Sequence, residues 1–248
     1  MSTTRLRIRT LAAVTLTALA AGALGACGPL DDKTFKDDAT VKERITAVRL
    51  DGHSDGFRVR GKKDPGKVSV HREVNYRGKT KPEGTTYRVE NGVLVLEGCG
   101  KNCSVDYTVD VPAGIPVTGS STEGTLSLSS VGEVKVSTKD GDVRVSGATG
   151  PVDIGTTNGS ISGSGLKGTG ITARTSNGSI SLTPDTVQDV TAQTSNGSIT
   201  VTAPSAPYHV SARTSRGATK LGIPDAPTAP HQLNLTTSNG DITLKASK

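Results

Sequence analysis

The sequence predicts an all-β fold, read as a β-solenoid of about seven coils of 17–23 residues behind an irregular β N-terminal cap, and three observations carry that prediction. A glycine recurs at Gly124, Gly141, Gly159, Gly178, Gly197, Gly217 and Gly240, at intervals of 17, 18, 19, 19, 20 and 23 residues. Apolar and polar residues alternate on both sides of each glycine, which is the period of a strand and not of a helix. The 248-residue chain holds 30 Gly, two Phe, four Tyr and no Trp, so its interior must be filled by small and β-branched side chains.

The chain opens with Arg5, Arg7 and Arg9, followed by the apolar run Leu11 to Leu24 and small residues leading into Cys27. That order is a secretory signal over residues 1–26, and it is short for a membrane span. Leu24-Gly25-Ala26-Cys27 resembles the lipobox of bacterial lipoproteins. The resemblance implies cleavage before Cys27, lipid on its sulfur, and anchoring to the extracytoplasmic face of the cell membrane. Residues 27–41 lack periodicity and carry opposing charges, so they are expected to form a lipidated tether.

The remainder, 42–248, is expected to be one adhesin-like β-solenoid domain, with a cap over 42–116 and repeats over 117–248. Strand-like runs occur at Ile45 to Leu50, Phe57 to Arg60, Lys67 to Tyr76, Thr85 to Glu90 and Val93 to Glu97. The net charge of +6 is unevenly placed, because residues 42–88 hold thirteen Lys/Arg against six acids. Such a stretch is either a solvated face or a surface drawn to anionic headgroups or anionic wall polymers. Nucleic acid is an unsuitable partner for an exported chain.

Cys99 and Cys103 are separated by Gly100, Lys101 and Asn102. Gly100 and Asn102 allow the turn that a disulfide needs, and oxidation is the default outside the cell. A metal site would need further ligands, and no Cys or His lies nearby in sequence.

In the repeats a hydroxyl stands three residues before each glycine: Ser121, Thr138, Thr156, Thr175, Thr194, Thr214 and Thr237. Aliphatic residues stand seven before and, except at Thr219, two after. The turn varies least, as Asn158-Gly159, Asn177-Gly178, Asn196-Gly197 and Asn239-Gly240 show. Two topologies satisfy the pattern. In a solenoid the asparagines stack into an amide ladder between parallel strands about 4.8 Å apart. In an antiparallel hairpin-repeat array each Asn-Gly closes a two-residue turn. The sameness of the turn among diverged flanks favours the solenoid. Lys245 and Lys248 are expected to guard its last strand against edge pairing.

Two Pro-stiffened insertions, around Pro204 and Pro207 and around Pro224, Pro227 and Pro230, break the late repeats, and Tyr208 adjoins the first. They are candidate binding loops, since insertions in repeat folds tend to project from one face. His53, His71, His209 and His231 match no metal or nucleophile spacing. Asp140, Asp142, Asp153, Asp185 and Asp189 do not share one repeat position, so a β-helical polysaccharide-cleaving enzyme is disfavoured. No nucleophile elbow, phosphate loop or zinc motif occurs. The expectation is a chain that is not an enzyme and needs no cofactor.

The lipobox, the Cys pair followed by Ser104-Val105-Asp106-Tyr107-Thr108-Val109-Asp110-Val111-Pro112-Ala113-Gly114, and the Ser/Thr-x-Asn/Asp-Gly-x-Ile/Val repeats together resemble the putative-adhesin domain family of bacterial lipoproteins, over roughly residues 45–246. The resemblance implies an adhesin-like architecture and carries no catalytic residues. Arg216, in place of Asn before Gly217, departs from the pattern and is expected to break the amide ladder. The functional expectation is a lipid-anchored binding or structural module for wall polymer, matrix or an envelope protein. The alternative is an envelope sensory or scaffold lipoprotein working through the basic 42–88 region.

Overall fold

Strict alternation at short, Gly-punctuated intervals leaves the backbone little choice but strands, and the chain forms 21 of them and no helix among the described residues. The computed structural model describes residues 32–52, 55–64 and 66–247. The expected signal 1–26, the lipid acceptor Cys27, His53 and Lys248 lie outside these residues. In chain order the strands are β1 (Asp32–Val41), β2 (Ala47–Gly52), β3 (Gly56–Lys62), β4 (Val68–Arg77), β5 (Tyr87–Glu90), β6 (Val93–Glu97) and β7 (Cys103–Pro112). They continue as β8 (Val117–Glu123), β9 (Thr125–Ser129), β10 (Val134–Asp140), β11 (Val143–Ser146), β12 (Val152–Asn158), β13 (Ile161–Leu166) and β14 (Gly170–Asn177). The last seven are β15 (Ile180–Pro184), β16 (Asp189–Asn196), β17 (Ile199–Ala203), β18 (His209–Arg216), β19 (Thr219–Leu221), β20 (Gln232–Asn239) and β21 (Ile242–Ala246).

These strands make two facing sheets, of 11 and 10 strands. Each repeat is one coil with a strand in either sheet, and successive equivalents pair in parallel. Val134 lies level with Val152, Val152 with Ile171, and Ile171 with Val190. Parallel pairing rejects the antiparallel hairpin-repeat array. Only β1–β4, β4–β7 and β5–β6 are antiparallel. The space between the sheets is filled by aliphatic columns, including Val117, Val134, Val152, Ile171, Val190 and Leu233 from one sheet and Leu126, Val143, Ile161, Ile180, Ile199 and Ile242 from the other, each at most 3% exposed. Burial of such side chains, at roughly 1.5–3 kcal/mol each, is the main force joining coil to coil.

The coils do not stack in chain order at either end. Along the stack they run β6/β7, β2/β3, β8/β9 and onward to β16/β17, then β20/β21 and finally β18/β19. At the start, coil β2/β3 therefore lies between two later coils, so part of the expected irregular cap is regular solenoid. At the far end the last coil of the chain is slipped beneath the one before it. The Pro-rich segments make this crossing possible: 204–207 carries the chain past the place of one coil, and 222–231 brings it back. A consequence is that β21, with Lys245, is an interior strand, and the edge strands at this end of the stack are β18 and β19.

Residues 32–41, expected as tether, form β1 and pair with β4 from Asp32↔Arg77 to Val41↔Val68. The mixed charges that read as disorder are complements across the two strands: Asp32 with Arg77, Lys36 with Glu73, Asp37 with Arg72 and Asp38 with His71. The disulfide is formed between Cys99 and Cys103 with Cα atoms 5.8 Å apart, at the turn from β6 to β7. Asn102 takes a positive φ of 61° there.

Candidate functional site

The Asn-Gly corners form one column on the solenoid. Asn177 Nδ2 donates to Asn158 Oδ1, Asn196 Nδ2 to Asn177 Oδ1 and Asn239 Nδ2 to Asn196 Oδ1, each at 2.9 Å. The column has a direction, since every amide donates toward the first coils and accepts from the last. Its ends match that direction. At one end Asn158 donates to the carboxylate of Asp140 at 2.6 Å, and at the other Arg216 Nη1 donates to Asn239 Oδ1 at 3.3 Å. An acceptor-only anion and a donor-only cation thus terminate the run, leaving no amide group at either end without a partner of the right kind. Arg216 does not break the ladder; because its coil is outermost, it closes it.

Inside the corner, Thr156, Thr175, Thr194 and Thr237 donate their hydroxyls to the carbonyls of Gly141, Gly159, Gly178 and Gly197, at 2.8–3.0 Å. Glycine is required for a reason beyond its positive φ: a Cβ on Gly178 would stand 2.0 Å from the carbonyl oxygen of Gly159. Ser160 and Ser179 accept through Oγ from the backbone N–H of the next coil. The polar groups of this column are committed to one another, so Asn158, Asn177, Asn196 and Asn239 with Gly159, Gly178, Gly197 and Gly240 are a structural seam.

The candidate binding loops behave differently from expectation. Tyr208 is fully buried and sits in the core at the last coil, where burial raises its pKa; it offers no surface for a ligand. The two Pro-rich segments meet there. Ala226 N donates to Tyr208 O at 2.8 Å, and Asp225 accepts from Val210 N at 2.8 Å and lies 3.0 Å from His209 Nδ1. The Val210 N–H, then His209, hold Asp225 below the usual carboxylate range. Ile223 is buried with Tyr208. The loops are a lid over the stack's end, and Pro207, Pro224, Pro227 and Pro230 are exposed on its outside, with Pro204 half-buried.

At the opposite end a cluster that the sequence did not reveal joins β1 to the rest. Arg72, 6% exposed, forms a two-pronged pair with Asp37 at 2.6 and 2.7 Å and also donates to Thr86 Oγ1 and Gly84 O. The guanidinium holds the Asp37 carboxyl below its ordinary range, and the carboxylate raises Arg72 in turn. Tyr107 stacks on Phe57 at 5.5 Å and donates to Thr86 and Glu97 O, and its burial pushes its pKa up to about 12. Phe35 lies under Lys81, whose Nζ is 3.9 Å from the ring centroid. Phe35, Asp37, Arg72 and Lys81, together with Lys79, Pro82 and Glu83, line a hollow of about 560 Å³.

The acids weighed for catalysis are not brought together. Asp140 accepts from Asn158, Asp142 from Arg144 and Ser160 N, Asp153 from Arg174, and Asp189 from His231 and Gln232 N; Asp185 faces Lys167. His71 lies beside Asp38. Among the described residues no three His, Cys, Asp or Glu side chains gather as metal ligands.

The sequence model of the family described as Toastrack DUF4097 matches residues 113–245, more than half of the chain. The fold is similar to the crystal structure of a putative adhesin from Parabacteroides distasonis ATCC 8503, with a TM-score of 0.50, 15% identity, and coverage of 86% of this chain and 98% of that one. It is also similar to a putative cell adhesion protein from Clostridium sporogenes ATCC 15579, with a TM-score of 0.40, 14% identity, and coverage of 87% and 100%. No curated protein matches the sequence. The matched family segment starts at the β7–β8 turn and takes in the seven glycine-marked coils, while β1 to β7 precede it.

Proposed function

We propose, for a chain that belongs to the Toastrack DUF4097 family, that it is a lipid-anchored surface module of adhesin type which binds an envelope or matrix component and catalyses nothing. The observation that carries this reading is how the polar side chains of the array are used. The acids weighed for chemistry and the amides of the corner column are bound one by one along the stack, and among the described residues these acids do not gather in one hollow. A rigid two-sheet scaffold with exposed faces suits binding, and fold likeness to adhesins is analogy in support of that, not a demonstration. The anchor is supported by position as well as motif, since only four residues separate Cys27 from the start of β1 at Asp32.

The deciding experiment combines labelled palmitate with protease treatment of intact cells. The reading expects label on the native protein, none on Cys27→Ala, and digestion of the native protein from outside. Label retained by Cys27→Ala, or full protection in intact cells, defeats it. Binding is tested separately by retention of specific partners from envelope extracts on the immobilised protein.

A further inference from the structure

Thirteen basic side chains fall between residues 42 and 88, and the fold divides them. Arg49, Arg60, Arg72, Arg77 and Arg88 are each paired with carboxylates, and Lys81 caps Phe35. Lys42, Arg44, Lys62, Lys63 and Lys67 are all exposed and, among the described residues, form no ion pair. Val41 and Val68 are directly paired, so Lys42 and Lys67 are neighbours at the same end of β1 and β4. Lys62 ends β3 opposite Pro112 of β7, its carbonyl accepting from Ala113 N at 2.8 Å, and β7 lies between β3 and β4. Lys42, Arg44 and Lys67 line a hollow of about 520 Å³ together with Ile45, Ile115 and Pro116, and Lys62 stands opposite Pro112, which lines it too. Glu43 and Asp64 are the acids within the two contributing segments, so positive charge is in clear excess.

We infer that this corner is a docking site for a phosphate-bearing anionic polymer, an inference that rests on the binding-module reading above and names its ligand class. The cations extend over three strand spacings, roughly 15 Å, which is more than a single small anion spans. Lys42 and Lys67, next to directly paired residues of adjacent strands, stand within one Debye length (~8 Å at physiological ionic strength) and act on a ligand jointly. Each exposed contact is weak alone, so only a ligand that engages several at once is retained. Four of the five are lysines, whose compact ammonium charge binds phosphate oxygens as a point charge in any orientation, and a phosphate chain, more densely charged along its length than a uronate chain, engages more of them at once. A bilayer surface fits less well: the site is concave, and the exposed large hydrophobic side chains, Val187 and Leu221, belong to other parts of the molecule.

The test uses the purified full chain, its detergent diluted below the critical micelle concentration, with three probes: linear inorganic polyphosphate, polygalacturonate, and phosphatidylglycerol vesicles. Lys62→Glu with Lys67→Glu alters the corner, and Lys220→Glu with Lys245→Glu makes the same charge change elsewhere, circular dichroism confirming that both variants are folded. The expected result is polyphosphate binding that weakens at least tenfold in the corner variant, less than twofold in the control, and falls steeply with salt. Equal loss in both variants reduces the effect to net charge and overturns the site, as does absence of binding by the native chain. Corner-dependent binding of polygalacturonate as tight as polyphosphate overturns the phosphate assignment, and corner-dependent binding of vesicles alone transfers the site to the membrane. None of these outcomes bears on lipid at Cys27, so failure here and failure of the anchored reading are separable.

Discussion

Arg216 donates to Asn239 across 23 residues of sequence, and not to Asn196, because the coil containing Asn239 occupies the level between them. This one contact ties together the interleaved end of the stack and the polarity of the corner column. The side chain that departs from the repeat is the one that ends the repeat.

The direction of the amide column makes Asn177→Asp informative. A carboxylate at that position still accepts from Asn196 but faces Asn158 Oδ1 with no proton to donate. The expected cost is about 1–2 kcal/mol at neutral pH. The carboxyl's pKa is raised in the folded state, so the penalty is present above that value and disappears below its unfolded value near 4. Urea unfolding of native and variant at pH 3 and pH 7 should show the gap closing in acid; a gap independent of pH is incompatible with the donor argument.

Gly178→Ala should be far worse than its size suggests. Its Cβ meets the Gly159 carbonyl at 2.0 Å, and the coils cannot separate without losing their strand pairing. A loss of at least about 2–4 kcal/mol is expected, read as a large fall in Tm. A change of only a few tenths of a kcal/mol would show that the coils yield there.

Arg72→Met should loosen β1. The Asp37 partner is partly exposed, which moderates the cost to about 2 kcal/mol near neutrality. Asp37 is depressed in the folded state, so its contribution is present above the unfolded pKa near 4 and is lost as pH falls through the lower folded value. Hydrogen exchange of β1 amides should therefore rise in the variant at pH 7, and native and variant should converge in strong acid.

Removing the Cys99–Cys103 bond by a double Ser substitution should cost only about 2 kcal/mol, as befits so small a ring. The loss should appear as faster exchange at the β6–β7 turn, with the Asn column undisturbed.

The edge strands β18 and β19 carry Arg213, Arg216 and Lys220 and no acid, while Leu221 is 48% exposed. Like charges there oppose edge-to-edge pairing. Substituting all three by Thr should give dimers or larger species in light scattering at concentrations where the native chain is monodisperse.

The solenoid, its core columns, the amide ladder and the disulfide were legible because each rests on local regularity: alternation, a repeated Asn-Gly and a short Cys spacing. What escaped was non-local. Nothing in the period tells a coil which neighbour it will meet, so Lys245 read as a terminal guard although β21 is interior. β1 read as a tether because Asp32, Lys36, Asp37 and Asp38 find their complements on β4, more than thirty residues away. Tyr208 suggested recognition by adjoining a loop, yet the open end of a stack needs a large apolar plug, and this is the one aromatic residue near it.

The interleaved far end carries a consequence for biogenesis. A chain emerging from its amino terminus can lay down successive circuits as they appear, until the strands of residues 209–221 arrive and find their berth not yet built. They must wait, unseated, for the strands of residues 232–246 to slide in ahead of them. A product cut short after residue 231 would thus lose two circuits, and the molecule can be finished only after its last words have been spoken.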